Sequence, residues 1–289
     1  MVARLMRLLR PPGASMVAGI GDDCAAIRGP KRGHLLLLKT DCVVEGRHFA
    51  QQDPARAVGW KAACRAVSDI AACGGRPGTA LVTCVLRAGQ SGRWLDELYR
   101  GIEKAGRKFG FHVAGGELAR TDGASVVSVA MVGQVDAREF VPRSGGRAGD
   151  VLFVTGVLGR SLESGWHLKF CPRLDEARWL AGRFRVRAMM DLSDGLASDL
   201  PRMARASGTG FAIDPRLVPR RRGATVGRAL GDGEDFELLF AIDPREAGRL
   251  ESSWPRRFPT TRLTRIGVLA ERGRCEGLGS AKGFDHFAR

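Results

Sequence analysis

Acidic residues that border glycines and apolar runs are the first feature of this sequence that could do chemistry. Asp22 and Asp23 stand in GIGDDCA, Asp41 closes LLLLKTD, and Asp69 lies in VSDIAACGG. Glu117 follows Gly115-Gly116, and Asp191 and Asp194 stand in MMDLSDG. Carboxylates at strand ends and helix termini can gather at one locus, which is unfavourable unless cations neutralise them. Hard divalent ions suit that task, and magnesium combines a few carboxylates with phosphate oxygens. Phosphoryl transfer needs that arrangement, because there the protein mainly positions reactants and neutralises charge on the moving group. Taken singly each motif is weak: a DD pair or an SDG turn more often caps a helix, where Ser and Asp satisfy free N–H groups. The ensemble carries the reading. No serine–histidine or cysteine–histidine constellation competes with it. Without a G-x-x-x-x-G-K-[ST] loop, the phosphate grip falls to metals, glycine-turn amides and arginines.

These residues need elements to position them. Leu35 to Thr40 is a short apolar run with a polar tip, as in a buried strand. Ala55 to Cys73 has helical length and apolar spacing and stops at Gly74-Gly75 with Pro77 behind. Strand-like stretches at Thr79 to Leu86 and Ser125 to Val135 flank a helical segment, Ser91 to Lys108. This alternation reads as an α/β or α+β domain. The stretch PRSGGRAGD, Pro142 to Asp150, is rich in glycine and charge and marks a domain boundary. The second half opens with strand Val151 to Thr155 and the turn TGVLG. Helices are expected at Ser161 to Lys169, Asp175 to Phe184 and Leu196 to Ala206, and strands at Phe211 to Asp214 and Phe236 to Ile242.

The chain of 289 residues, 44% of them apolar, is long enough for two compact domains with real cores. Its longest apolar stretches are strand-sized and fall short of the roughly 18 residues of a membrane span. Arg4, Arg7 and Arg10 break any signal-peptide core at the start, so the expected compartment is the cytoplasm. Seven scattered cysteines without C-x-x-C spacing point to reduced thiols rather than zinc or redox chemistry. A net charge of +15 invites a nucleic-acid reading. The arginines are spread along the chain, however, and the one dense run, Arg220 to Arg222, reads as a surface loop without interleaved aromatics. The expected partners therefore exclude nucleic acid and membrane, while a basic surface attracts phosphorylated metabolites.

Read together, GIGDDCA, TDCVVEGRHF, GWKAACRAVSDIAACGGRP, AGGE, VPRSGGRAGD with VLFVTGVLG, DLSDGLASDL, GEDFELLF and KGFDHF resemble thiamine-monophosphate kinase. That enzyme belongs to the superfamily of aminoimidazole ribonucleotide synthetase and selenophosphate synthetase. The resemblance runs from about Gly19 to the C-terminus. It implies a dimerising α/β domain over residues 1–141 and an α+β domain of the aminoimidazole ribonucleotide synthetase-like type over 142–289, which completes the ATP and substrate sites. Carried over residue by residue, it implies that Asp23, Asp41, Asp69, Asp191 and Asp194 bind magnesium, with Thr40 a further metal contact and Glu117 another ligand. Gly116, Glu117, Arg143 and Ser193 match positions that hold ATP, and His48 and Glu234 match contacts to thiamine. The implied reaction is in-line attack of the substrate phosphate on the γ-phosphate of ATP, in a homodimer with several magnesium ions. No side chain is assigned as nucleophile or general base. On their own, His48 reads as a packed histidine, Arg143 as a solvated linker residue and Glu234 as a loop carboxylate.

The sequence also departs from the family. Glu117 stands where aspartate is usual, and Lys39 where a small hydroxyl residue is usual. The lysine either takes the place of one metal ion or points away from the site. Ala281 occupies a position often held by an aromatic residue, so weaker stacking on the substrate is expected unless a ring from elsewhere, such as Trp60 or Phe284, replaces it. Asp232, Arg160 and Ala66 are lesser departures. The alternative implied by these changes is a divergent paralogue that binds ATP with weak turnover or phosphorylates a different small phosphate.

Overall fold

The computed structural model describes residues 8–9 and 13–284. Most of the basic N-terminal stretch and the end of KGFDHF, from residue 285, lie outside the described residues. Among the described residues, no helix is long and apolar enough to cross a membrane.

The first half is a six-stranded sheet in the order β1-β2-β3-β6-β4-β5. Its strands are β1 (Met16–Ala18), β2 (Ala25–Arg28), β3 (His34–Val44), β4 (Arg76–Arg87), β5 (His112–Thr121) and β6 (Val126–Asp136). Helix α1 (Ala55–Ala72) lies on one face of this sheet and helix α2 (Gly92–Phe109) packs against α1. Ser91 caps α2 by accepting from the Trp94 N–H, and Gly110, with φ of 78°, ends it in the left-handed region. Most of α1 is buried, because it is wedged between the first sheet, α2 and elements of the second half. The strand β5 was not anticipated: HVAGGELART lacks apolar alternation and pairs only as a parallel edge strand with β4. Gly116 sits there so tightly that a Cβ would fall 1.8 Å from the Val82 carbonyl oxygen.

The second half is a six-stranded sheet in the order β12-β9-β11-β7-β10-β8. Its strands are β7 (Val151–Thr155), β8 (Val186–Asp191), β9 (Gly210–Ile213), β10 (Leu238–Ile242), β11 (Leu263–Ala270) and β12 (Cys275–Glu276). The helices are α3 (Leu174–Arg183), α4 (Leu196–Ser207), α5 (Val226–Gly231) and α6 (Pro244–Arg257). Strand β7 turns Val151 and Phe153 to one core and Leu152 and Val154 to another, so VLFVT is apolar throughout because both faces are covered. Together the halves form the α/β plus α+β architecture that the sequence implied.

Two expectations fail in instructive ways. Ser161 to Lys169 is not a helix but a series of turns with one short 3₁₀ segment, Trp166–Leu168. Its Ser161 hydroxyl donates to the Glu234 carbonyl and its Trp166 indole to the Asp235 carbonyl, so it wraps the loop ahead of β10 instead of coiling. The strand expected from Phe236 begins only at Leu238, because Glu234 and Phe236 have φ of 64° and 52° and leave the extended region. The run Arg220 to Arg222 also differs from a plain surface loop. Arg221 donates to the Gly159 and Val157 carbonyls and to Asp235, and lies over the Trp166 ring.

Candidate active site

The carboxylates converge where α1 meets the second sheet. Asp23 stands in the turn between β1 and β2, Asp69 in the last turns of α1, and Asp191 at the end of β8. Each offers an oxygen within 4.8 Å of the others, and all three are buried. Asp23 Oδ2 is buried without a hydrogen-bond partner. Burial, with Lys39 opposing, drives Asp69 well above the usual carboxylate range. Burial and the nearby Asp23 push Asp191 up to about 7. Anions arranged this way are relieved by a cation, and an all-oxygen donor set fits magnesium.

Basic side chains already answer part of this charge. Arg143 Nη2 lies 2.5 Å from Asp23, Lys39 Nζ 2.7 Å from Asp69, Arg65 Nη2 3.0 Å from Asp41, and Arg202 Nη1 2.6 Å from Asp194. Burial opposes ionisation of Asp41, yet Arg65 and Lys39 outweigh it and hold this carboxyl below its ordinary range. Asp191 instead accepts from the Ser68 hydroxyl at 2.6 Å. The Nε–H groups of Arg65 and Arg143 are buried without partners, like Asp23 Oδ2. Two donors and one acceptor left open around one cluster suit a polyanion bound together with its metal.

A crevice lies between Arg47, His48, Arg65, Ser193, Asp194, Glu234 and Phe284, and Arg65 links it to Asp41. It continues past Arg47 and His48 to Phe49, Asp53 and His167. The Val44 N–H donates to His48 Nδ1, which places the proton of a neutral ring on Nε2. Glu234 is held by Lys61 at 2.5 Å and by Arg65 at 2.9 Å, with a backbone φ of 64°. Its N–H donates to the Ser193 carbonyl at 2.7 Å, which straps this loop to the SDG turn. The turn itself needs Gly195, whose φ is 93° and whose Cβ would fall 2.8 Å from the Asp232 carbonyl. Asp199 Oδ2 accepts from the N–H groups of Ser193 and Asp194 and fixes the other side.

The structure thus brings Asp23, Asp41, Asp69, Asp191, Asp194, Arg143, Ser193, His48 and Glu234 to one region. Thr40 and Glu117 stand apart. Alternation along β3 turns Lys39 and Asp41 toward α1 with the buried Leu37 and Val43, and turns Thr40 to the exposed face. Glu117 shares that exposed face, in register with Thr83 and, across β6, with Ser128 and Cys42. Three strand spacings, about 14 Å, separate it from β3. Ala281 does not face the crevice but packs on the second core, while Phe284 lines it. Trp60 is buried and donates to the Phe170 carbonyl, away from the crevice.

Sequence reasoning missed Lys61, Arg65, Ser68 and His167. Lys61 is fully buried; its ammonium contacts the His48 carbonyl, Glu234 and His167 Nδ1. A signal existed: Lys61, Arg65, Ser68 and Asp69 are spaced four, three and one residues apart, a polar stripe on an otherwise apolar helix.

Comparison with known proteins decides the family. AIR synthase related protein, N-terminal domain, matches residues 21–135, and the C-terminal domain of the same family matches residues 147–276. Thiamine-monophosphate kinase of Rhodopirellula baltica is 36% identical over 269 residues, covering 87% of this chain and 84% of its own. The chain belongs to this kinase family. The enzyme of Synechococcus elongatus is 32% identical over 92% of this chain and 91% of its own. Among solved structures, AaThiL complexed with AMPPCP and TMP superposes with a TM-score of 0.80 at 30% identity, covering 93% of this chain and 92% of that one.

Proposed function

We propose that this protein transfers the γ-phosphoryl group of ATP to thiamine monophosphate, forming thiamine diphosphate and ADP. The observation that carries the reading is the buried Asp23–Asp69–Asp191 trio, with its unpartnered Asp23 oxygen, beside a crevice lined by arginines and closed by Phe284. Asp23, Asp41, Asp69, Asp191 and Asp194 would hold the magnesium ions, several in number. When bound, those ions neutralise phosphate oxygens and hold both phosphate groups in register. Arg143 and Arg65, paired with Asp23 and Asp41 and each with a buried unpartnered Nε–H, add positive charge beside them. His48 and Glu234 orient the thiamine, and Lys61 and Arg65 keep the Glu234 carboxylate in place. The acceptor phosphate is already anionic at neutral pH, so the reaction is a direct in-line displacement without a protein nucleophile. Identity of 36% and 32% to thiamine-monophosphate kinases over 87% and 92% of the chain favours this substrate over an unrelated phosphate.

The finer reading includes a homodimer. Leu38, Leu81 and Val132 lie exposed on the face of the first sheet opposite α1, among Thr40 and Glu117. An apolar sheet face of this kind suits burial against a second copy. Such pairing would bring Glu117 and Gly116 of one copy toward the exposed face of the other, the face that carries Thr40. Residues 1–141 then supply the dimerising half and 142–289 the half that completes the substrate crevice, in a cytoplasmic enzyme.

The test is product analysis by mass spectrometry after incubation with ATP, magnesium and thiamine monophosphate. Thiamine diphosphate is expected, dependent on magnesium. ADP without thiamine diphosphate overturns the substrate.

A further inference from the structure

Lys39 lies on the inward-facing side of β3, in the same row as Leu37 and Asp41. Its ammonium is 2.7 Å from Asp69 Oδ1, and Asp41 and Asp23 add to the attraction. Asp69 also offers an oxygen to the trio with Asp23 and Asp191. One carboxylate of the trio is therefore already met by a tethered cation.

We propose that Lys39 is a built-in cation of this cluster: its ammonium holds the position beside Asp69 that a divalent ion would otherwise take. The protein accordingly binds one divalent ion fewer than its carboxylates could accommodate. This inference rests on the magnesium reading above and deepens it.

An ammonium donates hydrogen bonds at about 2.7–2.9 Å, whereas magnesium demands its oxygens at about 2.0–2.1 Å in octahedral geometry. A positive charge held 2.7 Å from Asp69 Oδ1 repels a divalent ion from that side of the carboxylate and competes for its lone pairs. A tethered ammonium also differs from an ion in solution, because it neither dissociates nor imposes a coordination number. It thus neutralises Asp69 at every magnesium concentration, and leaves the trio with Asp191 and the unpartnered Asp23 oxygen for exchangeable ions. Arg65 and Arg143 cannot substitute for it, since they are committed to Asp41, Glu234 and Asp23.

The test counts ions directly. Manganese is titrated into the full chain with saturating AMPPCP, and free manganese is read by electron paramagnetic resonance, for the wild type and for Lys39→Ser. The serine variant removes the ammonium and leaves a short oxygen donor. One additional manganese per chain is expected in Lys39→Ser; an equal count in the folded variant overturns the proposal. A second measurement needs no variant: anomalous diffraction from wild-type crystals grown with manganese and AMPPCP. Lys39 is expected to stay at hydrogen-bond distance from Asp69 Oδ1, with no manganese on that oxygen. Manganese bound there with the lysine displaced removes this inference alone. A wild type that binds no manganese by either method removes the magnesium reading and this inference together.

Discussion

Ser68 Oγ donates to Asp191 Oδ2 over 2.6 Å, and this buried bond ties helix α1 of the first half to strand β8 of the second. It joins the two sheets at the carboxylate cluster itself. Ser68→Ala leaves that oxygen desolvated without its donor, at a cost of about 1–3 kcal/mol. The expected result is a lower urea midpoint at an unchanged m-value in metal-free buffer. An unchanged midpoint contradicts the role assigned to this bond.

Asp23 bears a buried carboxylate oxygen that lacks a hydrogen-bond partner. Asp23→Asn keeps the shape and removes the charge. Loss of a direct ligand should weaken manganese binding at least as much as loss of a supporting residue, about 10- to 100-fold. Calorimetric titration with manganese and AMPPCP reads it directly, and wild-type affinity in the variant would remove Asp23 from the ligand set.

Phe284 is the ring that lines the crevice, while Ala281 packs on the second core. Phe284→Ala should raise KM for thiamine monophosphate about 2- to 10-fold, the size of a single ring contact of roughly 0.5–1.5 kcal/mol. KM for ATP should not move. Equal effects on both substrates would place the ring's role elsewhere.

These three sites differ in how far the sequence announced them. The aspartates stand out because they border glycines and apolar runs in a basic chain. Their counter-charges do not, since Arg65 and Lys61 meet Asp41 and Glu234 only after separate segments are brought together. The core strands β7 and β10 and the helices α1 and α4 were legible from apolar length and glycine stops. Strand β5 and the Ser161 to Lys169 segment were not: one is an exposed, small-residue edge strand, and the other is shaped by tertiary hydrogen bonds to Glu234 and Asp235. The split of Thr40 from Asp41 follows from strand alternation, which becomes informative once the buried face of β3 is known.

Lys61 gives the molecule a pH signature. Burial, opposed by Glu234, lowers its pKa from 10.5 to about 8. Between those values the unfolded chain holds a proton that the folded chain has released, so this residue's contribution to stability rises with pH across that window. The full gain is on the order of 3 kcal/mol. Urea unfolding at pH 8 and pH 10 should therefore show a rise for the wild type relative to Lys61→Met. Parallel pH profiles for the two proteins would mean that Lys61 keeps an ordinary pKa.

The apolar outer face of the first sheet makes the oligomeric state testable. Leu81 is 51% exposed and central to that face. Light scattering should find a dimer for the wild type and a monomer for Leu81→Lys, since a desolvated ammonium opposes burial of the face. A monomeric wild type at micromolar concentration would contradict the dimer and the placement of Glu117 across it.

The most direct test of the whole account is a phosphorus NMR time course of the protein with ATP, magnesium and thiamine monophosphate. ADP and thiamine diphosphate signals should grow together in equal amounts and stop when magnesium is chelated. ADP growing with inorganic phosphate, while the thiamine monophosphate signal stays constant, would contradict it.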